Sequence, residues 1–320
     1  MSKNCELRVT ILGGGVLGSQ IAMQCAYKGL SCMIYEISND AIHTAKMKID
    51  NIKSQYLNTL NRMKTLIGTN EPSPARGLIS DISTTSLNEI ELLIEKTKES
   101  DANITYTTDL KAAVQNADIV IEAICENIEI KKKVYTQIAN MVKPDAMIAM
   151  NSSTFLPSMF KDCLTYPENL IAIHFSNMIW VNNTTEIMGH ENTSNKTKER
   201  AVVFAECIGM IPLILNKETP GYILNSLLIP FLDAGEKLFA MGIADVETID
   251  KTWRLATGSP YGPFQMLDII GLGTAYEIVA MKEEAKDPNS VYAKIATLLK
   301  EKIGEGEMGI STGKGFYHYS

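Results

Sequence analysis

The stretch Arg8-Val9-Thr10-Ile11-Leu12-Gly13-Gly14-Gly15-Val16-Leu17-Gly18 decides how the chain is read. A short β-branched and apolar run leads straight into a glycine-rich turn. The residues after the turn take up helical spacing, with Leu17, Ile21 and Cys25 on one face before Gly29. Gly13, Gly15 and Gly18 fit G-x-G-x-x-G: the first glycine permits a tight turn, the second lets backbone approach a pyrophosphate, and the third lets helix and strand pack closely. The helix N-terminus then offers free N–H groups and the positive end of its dipole to phosphate. The same glycines also occur in turns with no ligand, so context decides. Strand, turn, helix and a second strand follow in order, and Glu36 stands 18 residues after Gly18, close to the ~20 at which an acid accepts hydrogen bonds from a ribose hydroxyl. A carboxylate there repels a 2′-phosphate, so the expected cofactor is NAD rather than NADP.

Outward from this stretch, short apolar runs alternate with helical patterns as far as Leu215: Ser31–Tyr35, Ile119–Ala123, Met147–Met150, Leu170–Ile173, Thr185–Met188 and Ile211–Leu215. Several are continuous apolar runs, as strands buried on both faces should be. Helices between such strands imply a mostly parallel sheet with right-handed crossovers. Asn39 to about Ser100 breaks the rhythm. It is lysine-rich and helical in pattern, with a proline and glycine break between Glu71 and Gly77, and reads as a helical hairpin inserted after the second strand. Lys217–Gly221 marks a boundary. Beyond it strand signals disappear, Asp245 is placed to cap a helix, Gly258 to Pro263 punctuates the chain, and the glycine- and aromatic-rich Ser311–Tyr319 is expected to pack as a tail. The expected fold is therefore α/β: a Rossmann-like doubly wound sheet over residues 1–216, with a hairpin insert at about 39–100, then an all-helical domain over 217–320. A length of 320 residues suits two domains.

With 45% hydrophobic and 21% charged residues the chain can build a substantial core. Its net charge of −7 argues against a nucleic-acid partner, which calls for a basic patch or domain. No stretch reaches the ~18 apolar residues needed to span a bilayer, and the early apolar run lacks a signal-peptide cleavage pattern; no membrane association is expected. The cysteines Cys5, Cys25, Cys32, Cys125, Cys163 and Cys207 are scattered without a C-x-x-C pair. That points away from a metal site and towards a reduced, cytoplasmic setting.

Two further segments each follow a strand at its carboxyl end, where open α/β sheets face their ligand crevice: Asn151-Ser152-Ser153-Thr154 and His174-Phe175-Ser176-Asn177. Glu186 lies in the next strand, 12 residues after His174, and is able to fold back on it. A nicotinamide dehydrogenase needs a base to take the hydroxyl proton as hydride leaves the carbinol carbon, and histidine suits that role near neutral pH. A carboxylate beside it would fix the tautomer and stabilise the imidazolium. The spacing alone is equally that of a core histidine satisfied by backbone groups.

Six motifs in order, NSST, HFSN, TTEIMG, TPGYILNSLL, YGPFQMLDIIGL and STGKGFYHY, cover nearly the whole chain and resemble the L-3-hydroxyacyl-CoA dehydrogenase family. The resemblance implies a Rossmann-like NAD domain, a helical C-terminal domain that forms a homodimer, and catalysis by a His–Glu pair falling on His174 and Glu186. It places the serine that contacts the substrate hydroxyl on Ser153 and the asparagine of the PG-aromatic motif on Asn225. Ile121-Glu122-Ala123-Ile124-Cys125-Glu126 matches the family's cofactor motif, which puts Glu126, Lys131, Asn151 and Asn177 near the nicotinamide ribose. The inserted hairpin corresponds to the segment that contacts CoA. The implied activity is NAD-dependent interconversion of a 3-hydroxyacyl-CoA and its 3-ketoacyl-CoA, a step of fatty-acid metabolism.

One segment departs from the family pattern. Where the family has His-Phe-Phe-Asn-Pro, this chain has His174-Phe175-Ser176-Asn177-Met178, and Trp180, Asn182 and Asn183 precede Glu186. The variant resembles a branch that includes bacterial 3-hydroxybutyryl-CoA dehydrogenases and a diketoreductase acting on CoA-free β-keto esters, so such esters stand as alternative substrates. Trp180 is expected either in the core or as a wall that shortens the acyl pocket. A crystallin-like or purely NAD-binding protein is the non-catalytic alternative, and an intact His–Glu pair argues against it.

Overall fold

In β1 (Arg8–Leu12) successive side chains point to opposite faces, and both faces are covered: Val9 and Ile11 enter one hydrophobic cluster and Leu12 another. β2 (Ser31–Tyr35), β3 (Ile104–Thr107), β4 (Ile119–Glu122), β5 (Met147–Met150), β6 (Leu170–Phe175), β7 (Thr184–Gly189) and β8 (Ile211–Leu215) join it in one sheet, in the order β3-β2-β1-β4-β5-β6-β7-β8. The computed structural model describes residues 7–69 and 71–319, so Cys5 lies outside the described residues. Every strand pair is parallel except β6 with β7. The strand order reverses between β1 and β4, which opens a crevice at their carboxyl ends.

The helices α1 (Val16–Tyr27), α2 (Asn39–Met63) and α3 (Leu87–Glu99) supply one covering layer, and α4 (Leu110–Val114) and α5 (Ile128–Ile138) the other; α6 (Asn195–Cys207) joins the first layer. The α2–α3 insert is amphipathic. Ala45, Ile49, Ile52, Tyr56, Leu60 and Met63 recur every three or four residues and are buried, the spacing of one helix face. Ser38 caps α2, and Ser86 with Glu89 forms a capping box on α3. β3 is not among the strands expected from the sequence. It is an edge strand of which only Ile104 is buried, so its Ile-Thr-Tyr-Thr carries no apolar run.

The chain divides into two compact units, Met1–Tyr222 and Ile223–Ser320. The division falls a few residues beyond the expected 216/217 boundary. β8 ends at Leu215, but Tyr222 is buried in the first unit, where its hydroxyl donates to the Ser152 carbonyl at 2.8 Å.

The second unit is helical, with α7 (Tyr222–Ala240), α8 (Val246–Thr257), α9 (Pro263–Ile270), α10 (Leu272–Ala280) and α11 (Val291–Gly304) around Leu232, Phe264, Leu267, Leu272, Ile295 and Leu299. Asp245 caps α8, accepting from the Thr248 N–H at 2.7 Å. The aromatic tail is pinned by the buried Asp268, which accepts from the N–H groups of Phe316 and Tyr317 and from the Tyr319 hydroxyl, all within 2.8–2.9 Å. Among the described residues no helix is long and apolar enough to cross a membrane.

Glu236 on α7 is buried, and among the described residues its Oε1 has no hydrogen-bond partner. Burial, reinforced by the negative charge of Asp233 and opposed by Lys282, pushes its carboxyl up to about 7. A carboxyl raised in the folded state contributes its full stability below the unfolded value, and that contribution is lost as pH rises through the folded value. Glu236→Gln, which is neutral at every pH, should match the wild type near pH 5 and exceed it by about 2 kcal/mol near pH 8. Denaturant unfolding at the two pH values checks this; an unchanged difference between them would show that Glu236 does not titrate in the folded state.

Candidate active site

The nucleotide end of the site is built from backbone. Gly13 has φ +98, and a Cβ there would stand 2.8 Å from the Ala123 carbonyl oxygen. A Cβ on Gly18 would collide with the Gly13 carbonyl, so both positions require glycine. Gly15, the N-cap of α1, has only the Ala123 oxygen near its missing Cβ, at 3.9 Å. That leaves open space in front of the helix N-terminus, where a pyrophosphate belongs. The Gly14 N–H donates to Glu36 Oε1 at 2.6 Å, so the carboxylate that ends β2 is fixed beside the turn. Lys48 of the insert reaches the same turn, its Nζ 3.4 Å from the Gly14 carbonyl oxygen, a contact the fingerprint does not signal. The residues present fit a dinucleotide.

The second part sits where the sheet changes direction. In the antiparallel β6–β7 ladder His174 lies directly opposite Glu186. His174 Nδ1 is 3.2 Å from Glu186 Oε2, and on the other side of the ring Nε2 is 3.1 Å from Ser153 Oγ. Both His174 and Glu186 are buried. The core-histidine alternative predicts backbone partners for the ring; both ring nitrogens instead meet side chains. Asn151, at the end of β5, accepts from the Phe175 N–H at 3.1 Å and ties the two loops together.

Glu126 and Lys131 meet in a charged cluster beside these loops. Lys131 is buried whereas Lys132 and Lys133 are not, and its Nζ stands 2.6 Å from Glu122 Oε1 and 3.2 Å from Glu126 Oε2. Burial raises the Glu122 carboxyl more than Lys131 and the hydrogen bonds lower it. At Glu126 burial is outweighed by hydrogen bonds from Ser152 and Thr154 and by Lys131, which hold the carboxyl below its ordinary value. Glu122 and Tyr135, whose hydroxyl donates to Glu122 at 3.1 Å, were not legible as parts of this cluster, because an acid inside an apolar strand gives no sign of its partner.

The segment that departs from the family pattern has its own architecture. Met178 has φ +56, a conformation that proline, fixed near −65°, does not adopt. Gln20 of α1 holds the loop: its Nε2 donates to Asn177 Oδ1 at 2.7 Å, and its Oε1 accepts from the Ile179 N–H at 3.3 Å. Trp180 is buried in the core against Tyr56 of the insert, with ring centroids 5.2 Å apart, and its carbonyl accepts from the Gly77 N–H. Asn182 and Asn183 donate to the backbone carbonyls of Asn177 and Gly209. The core reading of Trp180 therefore describes its surroundings, and both amides bond to backbone, Asn182 within the loop and Asn183 at the turn before β8. Asn225 stands in the first turn of α7, in the second unit.

The chain matches the family model for the NAD-binding domain of 3-hydroxyacyl-CoA dehydrogenase over residues 8–219 and that for the C-terminal domain over residues 221–319. It is 29% identical to the mitochondrial hydroxyacyl-coenzyme A dehydrogenase of Homo sapiens, covering 97% of this chain and 90% of that protein. Among solved structures it is similar to a diketoreductase that acts on dicarbonyl compounds, with 38% identity, a TM-score of 0.83 and coverage of 99% and 100% of the two chains. It is also similar to an (S)-3-hydroxybutyryl-CoA dehydrogenase from Ralstonia eutropha, with 25% identity, a TM-score of 0.72 and coverage of 98% and 99%. With both domain models matched in order and the fingerprint turn folded as a dinucleotide site, the chain belongs to the 3-hydroxyacyl-CoA dehydrogenase family, whose cofactor is NAD.

Proposed function

We propose that the chain interconverts a short L-3-hydroxyacyl-CoA and its 3-ketoacyl-CoA with His174 as the base. The observation that carries this is the imidazole held between Glu186 on Nδ1 and Ser153 on Nε2. NAD, when bound, supplies the hydride acceptor. His174 Nε2 takes the hydroxyl proton, and Glu186 keeps Nδ1 protonated and stabilises the imidazolium that forms. Ser153, hydrogen-bonded to the same Nε2, orients the substrate oxygen. In reverse, the protonated ring donates to the 3-keto oxygen. Such a base supplies roughly 10²–10⁴ of the rate. We assign Asn225 to the substrate oxygens, and Glu126, Lys131, Asn151 and Asn177 to the nicotinamide ribose; the fixed carboxylate of Glu126 and the held amide of Asn177 support that assignment.

A second reading, reduction of CoA-free β-keto esters, is favoured by the 38% identity to the diketoreductase over nearly all of both chains. The relative that acts on 3-hydroxybutyryl-CoA supports a short acyl chain. NADH oxidation with acetoacetyl-CoA, longer 3-ketoacyl-CoAs and a CoA-free β-keto ester separates the readings. Turnover with none of them would return the chain to a non-catalytic, crystallin-like role.

For assembly we propose a homodimer through the second unit, supported by the exposed Leu227, Met241, Ile243 and Leu255 on and after α7 and α8, an apolar surface that a subunit interface would cover. Leu227→Glu with Leu255→Glu should shift the mass in sedimentation from dimer to monomer; an unchanged mass places the interface elsewhere. A cytoplasmic location is supported by Cys25, Cys32, Cys125, Cys163 and Cys207, all free thiols; some relatives are mitochondrial, and fractionation of the source cells tells the two apart.

His174→Gln and Glu186→Gln should each lower kcat by two or more orders of magnitude, roughly the share of a general base, with little change in NADH affinity. The double variant should cost far less than the two effects multiplied, since members of one relay are not additive; additive losses would mean that the pair does not act together. Glu36→Ala should lower the NAD/NADP ratio of kcat/KM about tenfold or more, the size of one lost charge-assisted hydrogen bond. An unchanged ratio would move cofactor choice to another residue.

A further inference from the structure

We infer that Tyr222 is a positioning residue for His174, a flat support that sets the plane of the imidazole. This rests on the reading of His174 as the base. Hydrogen bonds from Glu186 and Ser153 engage the two ring nitrogens and fix the line that joins them, but a ring held at two points in its own plane is still able to tilt about that line. A tilt turns the Nε2 lone pair away from the substrate oxygen. The Tyr222 ring lies against the imidazole face with centroids 4.4 Å apart and planes 14° from parallel, which closes the tilt on that side. When the ring takes up the proton, the electron-rich aromatic face also favours the cation.

Tyr222 is itself fixed with unusual force. Its backbone is left-handed, φ +54, directly after Gly221 at φ +78. For a bulky side chain that conformation is an outlier, and it persists where the surroundings over-determine it. The surroundings here are functional ones. The hydroxyl donates to the Ser152 carbonyl at 2.8 Å, so it grips the backbone next to Ser153, and the ring is buried against the base. An extended or helical backbone at residue 222 would send the side chain elsewhere. One residue thus sets the imidazole plane and anchors the loop that carries the hydroxyl partner of Nε2.

The test compares full-length wild type, Tyr222→Phe, Tyr222→Leu and His174→Gln, reading kcat with the preferred ketoacyl substrate and NADH affinity by fluorescence. Tyr222→Leu should lose about 10–100-fold in kcat, the size of a misaligned reacting group, with NADH affinity within about twofold. Tyr222→Phe keeps the ring and should stay within about fivefold of wild type in kcat, a modest loss from the missing anchor. Wild-type kcat in Tyr222→Leu overturns the inference, as does a Tyr222→Phe loss equal to that of Tyr222→Leu, or a fall in NADH affinity that parallels kcat. A wild-type measurement stands even where Tyr222→Leu does not fold. With four histidines in the chain, a spectrum of ¹³C-labelled histidine is assignable, and the signal absent from His174→Gln should lie upfield of the others from the Tyr222 ring current. No displaced signal would overturn the stack. Wild-type turnover in His174→Gln would instead sink the base assignment, a separate failure.

Discussion

The antiparallel pairing of β6 with β7 is the constraint on which the active site depends. Every other strand pair in the sheet is parallel, and parallel neighbours are joined by long crossovers that seldom bring two nearby sequence positions face to face. The single reversal puts Glu186 directly across from His174, although only 12 residues separate them. A slip of one residue in this ladder would send Glu186 to the opposite face of the sheet and leave His174 without its carboxylate partner. Register is held by Ile173 and Phe175 on one side and Ile187 on the other, which bury in the same cluster, and by Thr185, whose hydroxyl donates to the His174 carbonyl at 3.0 Å. Hydrophobic burial thus sets a geometry that electrostatics then uses.

Around this pair the sheet spends stability on polarity. Lys131 and Glu122 are both buried in contact, and such a pair returns little net stability because each charge loses its hydration. Breaking it from one side is costly, about 3–5 kcal/mol, since the remaining charge is stranded. What the pair secures is the position of Glu126, which Lys131, Ser152 and Thr154 hold ionised at the rim of the crevice. Ser152 receives the Tyr222 hydroxyl on its carbonyl as well. The buried charges and the imidazole stack therefore converge on one short loop, Asn151 to Thr154.

Much of this was legible in the residues. The turn at Gly13–Gly18, the inserted hairpin, the cap at Asp245 and the strands with apolar runs all carry local signals that the fold obeys. β3 was not legible, because an edge strand needs few apolar residues and Ile104–Thr107 has one buried. Glu186 was readable as a candidate through its strand and through the family resemblance, but not its pairing, since no spacing rule says that two strands pair antiparallel within a parallel sheet. Gln20 carries no pattern, and Glu122 and Tyr222 stand in recognisable motifs that do not signal their partners: Gln20 and Tyr222 meet segments far apart in sequence, and Glu122 meets Lys131 and Tyr135 on the helix after its strand. Trp180 shows the converse. Its place between the base and its partner in sequence suggested a pocket wall, yet the chain between two paired strands is free to turn its side chains back into the core, and here Tyr56 receives the indole.

The loop between β6 and β7 is held by contacts separate from those that set the two strands carrying His174 and Glu186. The family's proline is replaced by Met178 in a left-handed conformation, so the turn follows a different course. Gln20, reaching from the helix that opens the nucleotide site, clasps both Asn177 and Ile179 and supplies the rigidity that a proline ring would have given. His174 and Glu186 sit on strands, where register is fixed by burial, while the altered residues sit on the connection, where length and direction are free to vary. The loop is therefore able to change its course without moving His174 or Glu186, provided some side chain outside it takes over the task of holding Asn177. In this chain that side chain is Gln20, so the helix that opens the nucleotide site also holds the β6–β7 loop.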